Sequence, residues 1–428
     1  MKAILNRFFG FSLENSLSDN NRPSGIGEKI IITGSIIFAL GMPWSHVFGY
    51  IGAGIAFMGA VVSPGFLRFG RNEKTIIILL LSFFAWGIIL SLTVAIRPSN
   101  GLNTVFAYFA HWLIPLMIGL WMPSRCRTFI LYLWMFSLII LGFVSFLAFA
   151  GFFDAPRFSR EGMLMGLHNH IQLAALLLLG FNIIYGLFLT PGLSKRRYLL
   201  VGIVGALFLV LFILTGSRGW WVAGFISICG MTIHHILSNR SRKTALILTA
   251  VGILFALSIV ALSPQVRARI NRTGFNDPNI IHRRNMAVMA REVIKENPVF
   301  GIGPGQTPYA KEYYDRMEKM DLPQETGYLH KKHFHNIYFQ ITAEFGLPGM
   351  VLFMFILIMG FVVLISAGLK SPGNHNSGII YGVIWSFVAL AVAELFDCLL
   401  RGPAVAMEYF WIMGVCARLG QGMIKAEQ

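Results

Sequence analysis

The sequence predicts an all-α membrane protein that crosses the bilayer about twelve times. Of its 428 residues, 56% are hydrophobic and only 13% are charged, and the mean hydropathy is +0.67. Soluble proteins contain about 25% charged and about 45–50% apolar residues. The charged residues of this chain lie between long apolar runs, each close to the roughly 20 residues that one membrane-spanning helix needs. This composition excludes soluble, disordered and fibrous proteins.

The apolar runs define the predicted spans, and breaks rich in charged residues, glycine or proline separate them. We place the spans near residues 29–43, 46–65, 75–95, 103–122, 128–150, 169–190, 198–215, 219–237, 244–263, 349–369, 378–397 and 403–418. The first two could also form one bent hairpin, because Pro43 and several glycines interrupt them. The four cysteines are scattered in or beside these runs, so no disulfide framework is expected.

The distribution of basic residues gives the orientation. If the N-terminus is cytoplasmic, 18 of the 35 Lys and Arg residues fall on the cytoplasmic side and only 5 fall in short outer loops. This is the bias of the positive-inside rule. We therefore interpret the net charge of +16 first as a determinant of membrane topology and then as a sign of anionic ligands, rather than as a sign of nucleic-acid binding.

The other 12 basic residues lie in one long outer segment, residues 264–348. A loop of this length within a compact architecture is usually functional. The sequence thus predicts spans one to nine over residues 1–263, a large loop outside the cytoplasm over 264–348, and spans ten to twelve over 349–428.

The long loop contains a predicted helix with a basic pair at its start, Arg283 and Arg284. The residues that share its apolar face are Met286, Met289, Ala290 and Val293. Cations are disfavoured at a helix N-terminus, so the pair suggests an anion held by backbone N–H groups and guanidinium forks together. The alternative is a pair of solvated loop charges.

A glycine-rich segment follows, from Asn297 to Gly305. It lacks the Gly-Lys-Ser/Thr ending of a nucleotide-binding loop. We interpret it as a structural turn that ends the helix, and we favour this reading over direct contact with a ligand.

His335 is the predicted general base. Asn336 is a plausible N-cap for a helix from Ile337 to Phe345, which Gly346 would end. The helix dipole disfavours an imidazolium ion beside the N-terminus, so a neutral ring could accept a proton there. The alternatives are a plain loop histidine or a metal ligand together with His333. No third ligand with zinc-like spacing is evident, so no metal is predicted.

Arg218 lies in a short outer hairpin, Thr215-Gly216-Ser217-Arg218-Gly219. An outer arginine opposes the topological bias, and the N-terminus of the next span adds backbone donors at the same level. We interpret it as a phosphate ligand, and the alternative is an anchor for any lipid phosphate.

Four polar residues of an earlier outer loop rank below Arg218 as candidate functional residues, namely Arg157, Arg160, His168 and Asn169. Glu394 and Asp397 are expected to pair with Arg401, and His111 is expected to be an interior histidine with a hydrogen-bond partner.

Three features resemble the O-antigen ligase and polymerase superfamily of envelope polysaccharide enzymes. They are the Thr215–Gly219 hairpin, the stretch from Arg283 to Gly305, and His335-Asn336 with Gln340, Glu344 and Gly346 behind it. The resemblance covers roughly residues 200–370. Ala287 departs from the pattern, since the family often has an aromatic residue after the arginine, and this leaves the choice between Arg283 and Arg284 open.

The resemblance implies a glycosyltransferase-C-like fold in the bacterial inner membrane with an active site that faces the periplasm. The implied donor is a glycan on undecaprenyl pyrophosphate, the implied acceptor of a ligase is lipid A-core, and neither a metal nor a nucleotide cofactor nor a nucleic-acid partner is implied. The implied catalytic residues are His335, Arg218, Arg283 and Arg284. The substrate-binding candidates are Asn336, Gln340 and Arg291 within the matching region, together with the earlier-loop residues Arg157, Arg160, His168 and Asn169, which the resemblance does not cover.

The sequence leaves three other functions open. An O-antigen polymerase or a protein-glycosylating ligase would use the same donor with another acceptor. A polysaccharide flippase or transporter is a rival from another class, but it should have related halves and charged or broken helices near the midplane. The polar residues of this chain are concentrated near the outer surface and in one loop, which favours an enzyme.

Overall fold

The structure is a computed structural model. It describes residues 25–63, 69–153, 159–160, 163–167, 169–190, 193–237, 264–271, 277–319, 333–371 and 375–419. Within these residues the fold is helical apart from one short hairpin. The α-helices are α1 (Ile26–Gly41), α2 (His46–Val62), α3 (Arg71–Thr93), α4 (Pro98–Tyr108), α5 (Ile114–Trp121), α6 (Arg127–Phe149), α7 (His170–Phe188), α8 (Lys195–Leu214), α9 (Arg218–Leu237), α10 (Pro264–Asn271), α11 (Pro278–Glu296), α12 (Lys311–Lys319), α13 (Ile337–Leu369), α14 (His375–Ala393) and α15 (Pro403–Leu419).

Shorter elements connect them. A π-helical turn, Phe109–Leu113, joins α4 to α5, and 3₁₀ turns lie at Ser124–Cys126, Thr307–Tyr309 and Leu399–Arg401. The hairpin pairs β1 (Ser159–Arg160) with β2 (Met163–Leu164) in antiparallel register. It was not expected from the sequence, because two-residue strands carry no usable periodicity.

Eight described helical segments are long and apolar enough to cross a membrane. They are Arg71–Thr93, Pro98–Trp121, Ser124–Phe149, His170–Phe188, Lys195–Leu214, Arg218–Leu237, Ile337–Leu369 and His375–Ala393. The shorter apolar helix α2 and the helices α1 and α15 occupy three more of the predicted ranges. These helices make the chain a multi-pass membrane protein. The predicted span 244–263 lies outside the described residues, so the count of twelve spans stays a prediction.

Two helices form the centre of the bundle. Every residue of α15 from Ala404 to Ala417 is buried, and so is every residue of α7 from Leu173 to Leu187. By contrast, fewer than half of the residues in the apolar membrane-spanning stretches of α3, α8, α9 and α13 are buried within the protein. In a bilayer, lipid would cover these outer faces.

The first two helices pack through small residues. A Cβ added to Gly34 of α1 would lie 2.4 Å from the backbone nitrogen of Ala56 in α2, and one added to Gly59 would lie 2.6 Å from the carbonyl oxygen of Gly27. Small residues let two helix backbones approach this closely in a membrane. The pair is therefore a hairpin of two helices with a turn after Gly41.

Helix α13 is broken at Gly346, which has φ 68° and ψ −178°. The break frees three carbonyl oxygens of the preceding turn. Ile302 N–H donates to Ala343 O at 2.9 Å, Gly303 N–H donates to Glu344 O at 3.1 Å, and the Trp86 indole donates to Phe345 O at 2.8 Å. The prediction that Gly346 ends the first helical segment is confirmed, and the glycine-rich segment 297–305 is the turn that satisfies the broken end.

The loops expected on one side of the membrane meet at one end of the bundle, which we call the site end. The backbone of Arg97 exchanges two hydrogen bonds with the Gln306 side chain, at 2.9 and 3.2 Å. The Asn336 side chain donates to Leu395 O at 3.1 Å, and Arg218 contacts the residue before α11. The opposite end is joined by Arg418, whose guanidinium contacts Glu73 at 2.7 Å.

Candidate active site

Helix α11 begins five residues before the basic pair that was expected at its start. Asp277 is the N-cap and its Oδ1 accepts from Asn279 N–H at 2.8 Å, with Pro278 at the first helical position. The prediction that Arg283 and Arg284 mark the helix N-terminus is therefore wrong. The reason is that an Asp-Pro pair supplies a strong helix start upstream of the apolar periodicity used to place the helix.

The predicted apolar face of α11 is confirmed, since Met286, Met289, Ala290 and Val293 are all buried. This face fixes the rotation of the helix. It turns Arg283 toward the bundle, half-buried, and leaves Arg284 and Arg291 exposed. The structure thus separates the two arginines that the sequence left equivalent.

Arg218 is the first residue of α9, as the hairpin pattern predicted. Its Nη1 donates to Asp277 Oδ2 at 2.7 Å. The carboxylate therefore holds Arg218 beside the N-terminus of α11. Burial alone would raise the pKa of Asp277, but the Arg218 guanidinium and the Asn279 N–H groups hold this pKa below its usual range, so the ion pair is formed at neutral pH.

His335 immediately precedes Asn336, the N-cap of α13, as expected. The N-cap role of Asn336 is confirmed, because its Oδ1 accepts from Phe339 N–H at 3.0 Å. His335 has φ 52°, and among the described non-glycine residues it alone has a positive φ. Backbone conformations of this kind cost free energy and are concentrated at functional sites.

Asp397 lies between His335 and Arg283. Its Oδ1 is 3.9 Å from His335 Nδ1 and its Oδ2 is 4.0 Å from Arg283 Nη2. The same Oδ1 accepts from Cys398 N–H at 2.9 Å, which fixes the carboxylate. Burial raises the pKa of Asp397, although Cys398 N–H and the Arg283 guanidinium oppose this.

The expected pairing of Glu394 and Asp397 with Arg401 is wrong. Asp397 turns toward Arg283 and His335 instead. Glu394 Oε1 accepts from two backbone N–H groups, those of Leu399 and Leu400, each at 3.0 Å. These donors belong to a 3₁₀ turn, whose geometry cannot be read from the sequence pattern.

Backbone contacts hold the two halves of the site together. Ile337 N–H donates to Glu394 O at 3.0 Å, and the Asn336 side chain donates to Leu395 O at 3.1 Å. The start of α13 is thereby fixed to the loop that carries Asp397.

Two more histidines lie against His335. The ring centroid of His333 is 4.3 Å from that of His335, and the centroid of His282 is 5.2 Å away. His333 Nδ1 accepts from His335 N–H at 3.2 Å. Potential ligand atoms of His333, His335 and Asp397 lie within 4.8 Å of one another. Asp397 is therefore a third candidate metal ligand, which the spacing in the sequence did not reveal.

Gln340 and Glu344 are buried and support the site from behind. Gln340 Oε1 accepts from Phe334 N–H at 2.8 Å, and its Nε2 donates to Thr307 Oγ1 at 2.9 Å. That hydroxyl in turn donates to Glu344 Oε1 at 2.7 Å. In the described structure Gln340 joins the histidine segment to the glycine-rich turn, and its predicted contact with substrate stays a prediction.

The remaining predicted residues lie near β1, β2 and α7. Asn169 caps α7, since its Oδ1 accepts from Gln172 N–H at 2.8 Å. Arg157 and His168 lie outside the described residues, and of Arg160 only the backbone in β1 is described. His111 is an interior histidine as expected, with its Nε2 2.6 Å from the Tyr50 hydroxyl.

Sequence reasoning missed three residues of this cluster, namely Asp277, His282 and Asp397. Asp277 carried a signal in the form of the Asp-Pro helix start. His282 and Asp397 carried none, because their proximity to His335 arises from tertiary packing between segments far apart in the chain.

Together these contacts define a multi-pass α-helical membrane protein with a cluster of arginine, histidine and carboxylate side chains at one end. Residues 203–354 match the model of a protein family described as O-Antigen ligase. The matched segment includes Arg218, Arg283, Arg284, His335 and Gln340. No curated protein shows significant similarity to the chain.

Over these residues the chain is similar to the O-antigen ligase family, in agreement with the resemblance of its motifs. The family is one of glycosyltransferase-like ligases. Its substrates are lipid-linked glycans, and its members act among membrane lipids.

Proposed function

We propose that the protein is an O-antigen ligase, which transfers a glycan from undecaprenyl pyrophosphate to lipid A-core at the periplasmic face of the inner membrane. The observation that carries this proposal is the convergence of Arg218, Arg283 and His335 at the site end. The orientation is supported by the 18-to-5 distribution of basic residues. The family match supports the donor class.

The arginines suit the donor's pyrophosphate. A guanidinium presents five N–H donors in a planar fork, which binds phosphate oxygens in pairs. Arg218 and Arg283 are each held by one carboxylate, Asp277 and Asp397. These carboxylates fix the two guanidinium groups at the site end, whereas Arg284 is exposed outside the cluster and its charge acts on the pyrophosphate only at longer range.

The transfer is a single displacement. The acceptor hydroxyl oxygen attacks the anomeric carbon, the bond from that carbon to the pyrophosphate oxygen breaks, and undecaprenyl pyrophosphate leaves with the electron pair. The anomeric carbon is inverted. Negative charge grows on the pyrophosphate as the bond breaks, so donors already in place stabilise the transition state more than the ground state.

His335 takes the proton of the acceptor hydroxyl on Nε2. Its Nδ1 faces Asp397 at 3.9 Å, a distance that a small side-chain movement would turn into a hydrogen bond, as happens in many sites when substrate binds. A carboxylate in this position orients the imidazole and stabilises the imidazolium formed in the transition state. Base catalysis of this kind contributes roughly 10²–10⁴-fold.

This mechanism uses no metal. A metal ion bound by His333, His335 and Asp397, whose potential ligand atoms lie close together, would contradict it. If the group held zinc, His335 could not serve as a free base. Transfer by the purified protein in the presence of a strong chelator distinguishes the two, since base catalysis is insensitive to the chelator.

The acceptor is tested in cells by deletion of the gene followed by analysis of the surface glycolipids. A ligase predicts lipid A-core without glycan and accumulation of the lipid-linked donor. Lipid A-core that still carries a single repeat unit would instead indicate a polymerase, and unchanged lipid A-core with an unmodified glycoprotein would indicate a protein-glycosylating ligase.

A further inference from the structure

The glycine-rich turn presents apolar side chains on its outside. Val299 and Phe300 are 49% and 54% exposed, although they belong to the only long hydrophilic segment of the sequence. Leu347, just past the break in α13, is 50% exposed beside them, and its N–H donates to Pro298 O at 2.8 Å. We call Val299, Phe300 and Leu347 the turn patch.

The turn patch continues the lipid-facing surface of a membrane-spanning helix. The exposed apolar side chains of α13 form one stripe at spacings of three and four residues: Leu347, Val351, Met354, Phe355, Ile358, Val362, Ile365 and Leu369. The stripe from Leu347 to Leu369 is about 33 Å long at 1.5 Å per residue. This is close to the roughly 30 Å of a bilayer's hydrocarbon core, so Leu347 lies at its edge, still within reach of lipid.

A second helix gives the same depth. The Phe300 ring stacks on Trp86 of α3, with centroids 6.0 Å apart and planes 30° apart. Trp86 precedes the end of α3 by seven residues, and both Ile89 and Leu92 beyond it are exposed apolar side chains. Phe300 therefore lies about 10 Å from the site end of α3 toward the middle of the membrane, at 1.5 Å per residue.

Several backbone groups of the turn have hydrogen-bond partners within the protein. Irregular backbone is tolerated in hydrocarbon only when its polar groups have partners within the protein. Gly301 N–H donates to Asn297 O at 3.1 Å, and the N–H groups of Ile302 and Gly303 donate to the carbonyl oxygens freed by the break in α13. Pro298 has no N–H to satisfy.

We propose that the turn patch inserts into the bilayer leaflet at the site end and contacts the acyl chains of its lipids. The turn is then a re-entrant element of the membrane domain rather than part of a free loop. Its hydrogen bonds to Ala343 and Glu344 connect this anchor to the helical segment whose N-terminus follows His335. If the proposed function is right, insertion sets the height of His335 above the leaflet that carries the lipid-linked donor.

Depth measurements on labelled protein test the insertion without any catalytic readout. The full chain with Cys229→Ser retains only the three buried cysteines, Cys126, Cys398 and Cys416. A nitroxide label at Val299→Cys or Leu347→Cys in lipid nanodiscs is exposed to oxygen, which concentrates in hydrocarbon, and to a nickel chelate, which stays in water.

The matched controls are Leu92→Cys on the lipid-facing side of α3 and Glu312→Cys, whose native side chain is 73% exposed on α12. We expect labels at positions 299 and 347 to match the Leu92→Cys label, with an oxygen-to-nickel collision ratio several-fold above that of the Glu312→Cys label. A ratio equal to that of Glu312→Cys would overturn the proposal. Protection from both reagents would also overturn it, because protein rather than lipid would then cover the patch. Neither result depends on whether the chain is a ligase.

Discussion

Replacing Asp397 by asparagine keeps the size of the side chain but removes the negative charge between Arg283 and His335. The Oδ1 contact with Cys398 N–H at 2.9 Å needs only an acceptor oxygen, so asparagine preserves it. The variant therefore isolates the effect of the charge on His335. Because the imidazole becomes positive only as it accepts the proton, the carboxylate stabilises the transition state and not the ground state.

The expected loss follows from the distance. Two unit charges about 4 Å apart interact by roughly 1 kcal/mol in water and roughly 4 kcal/mol at an effective dielectric constant of about 20. The side chains of Asp397 and His335 are 11% and 20% exposed and 3.9 Å apart, so the interaction lies between these limits. At about 1.4 kcal/mol for each factor of ten, kcat should fall by roughly ten- to a hundredfold.

The donor KM should not rise in Asp397→Asn, because removing an anion beside Arg283 leaves more positive charge for the pyrophosphate. The pH profile gives an independent check. Burial raises the pKa of Asp397, so the wild-type protein loses the carboxylate as the pH falls through that raised pKa. The asparagine variant has no such titration, and its disadvantage should shrink toward acidic pH.

The assay is transfer by purified protein in liposomes, with donor binding measured in parallel. Glu296→Gln is the matched control, because this carboxylate pairs with Arg316 on the exposed side of the loop and its loss should leave kcat unchanged. Equal kcat values for Asp397→Asn and the wild type across the pH range would refute the role of the carboxylate.

Three further variants separate the roles of site residues. Arg283→Ala should weaken donor binding more than Arg284→Ala, because Arg283 faces the cluster and Arg284 is exposed; equal losses in a donor-binding assay would contradict this. Gln340→Leu removes the hydrogen-bond partners of the buried Phe334 N–H and Thr307 hydroxyl. It should lower the free energy of unfolding by about 1–3 kcal/mol, visible as a lower thermal midpoint in detergent. Gly346→Ala should destabilise the protein more than Gly54→Ala, since the added Cβ would meet a backbone carbonyl oxygen at 1.9 Å at position 346 and nothing within 4 Å at position 54; equal midpoints would argue against the strained break.

The local features of the site were predictable because each depends on neighbours in sequence. Asn336 caps α13 and Gly346 breaks it, and both follow from side chains that favour these backbone positions. The apolar face of α11 followed from its periodicity. The start of that helix did not, because the apolar periodicity begins only at Met286, well after the Asp277-Pro278 pair that starts the helix.

The partners of the catalytic candidates were not predictable in the same way. Asp397 is far from His335 in the chain, and the contact depends on how α11, α13 and α14 pack. Glu394 illustrates the same limit. Its carboxylate accepts backbone N–H groups of a 3₁₀ turn, whereas charge pairing alone favoured an arginine.

The proposed role of His335 is tested most directly by transfer kinetics of His335→Ala. The protein is purified, placed in liposomes with lipid-linked donor and lipid A-core, and assayed with a chelator present, while donor binding is measured on the same preparation. The account predicts unchanged donor binding, wild-type activity that is indifferent to the chelator, and a fall in transfer of about two orders of magnitude or more for the variant. Normal turnover by His335→Ala would contradict it, and so would loss of wild-type transfer on adding the chelator, which would assign His333, His335 and Asp397 to a metal.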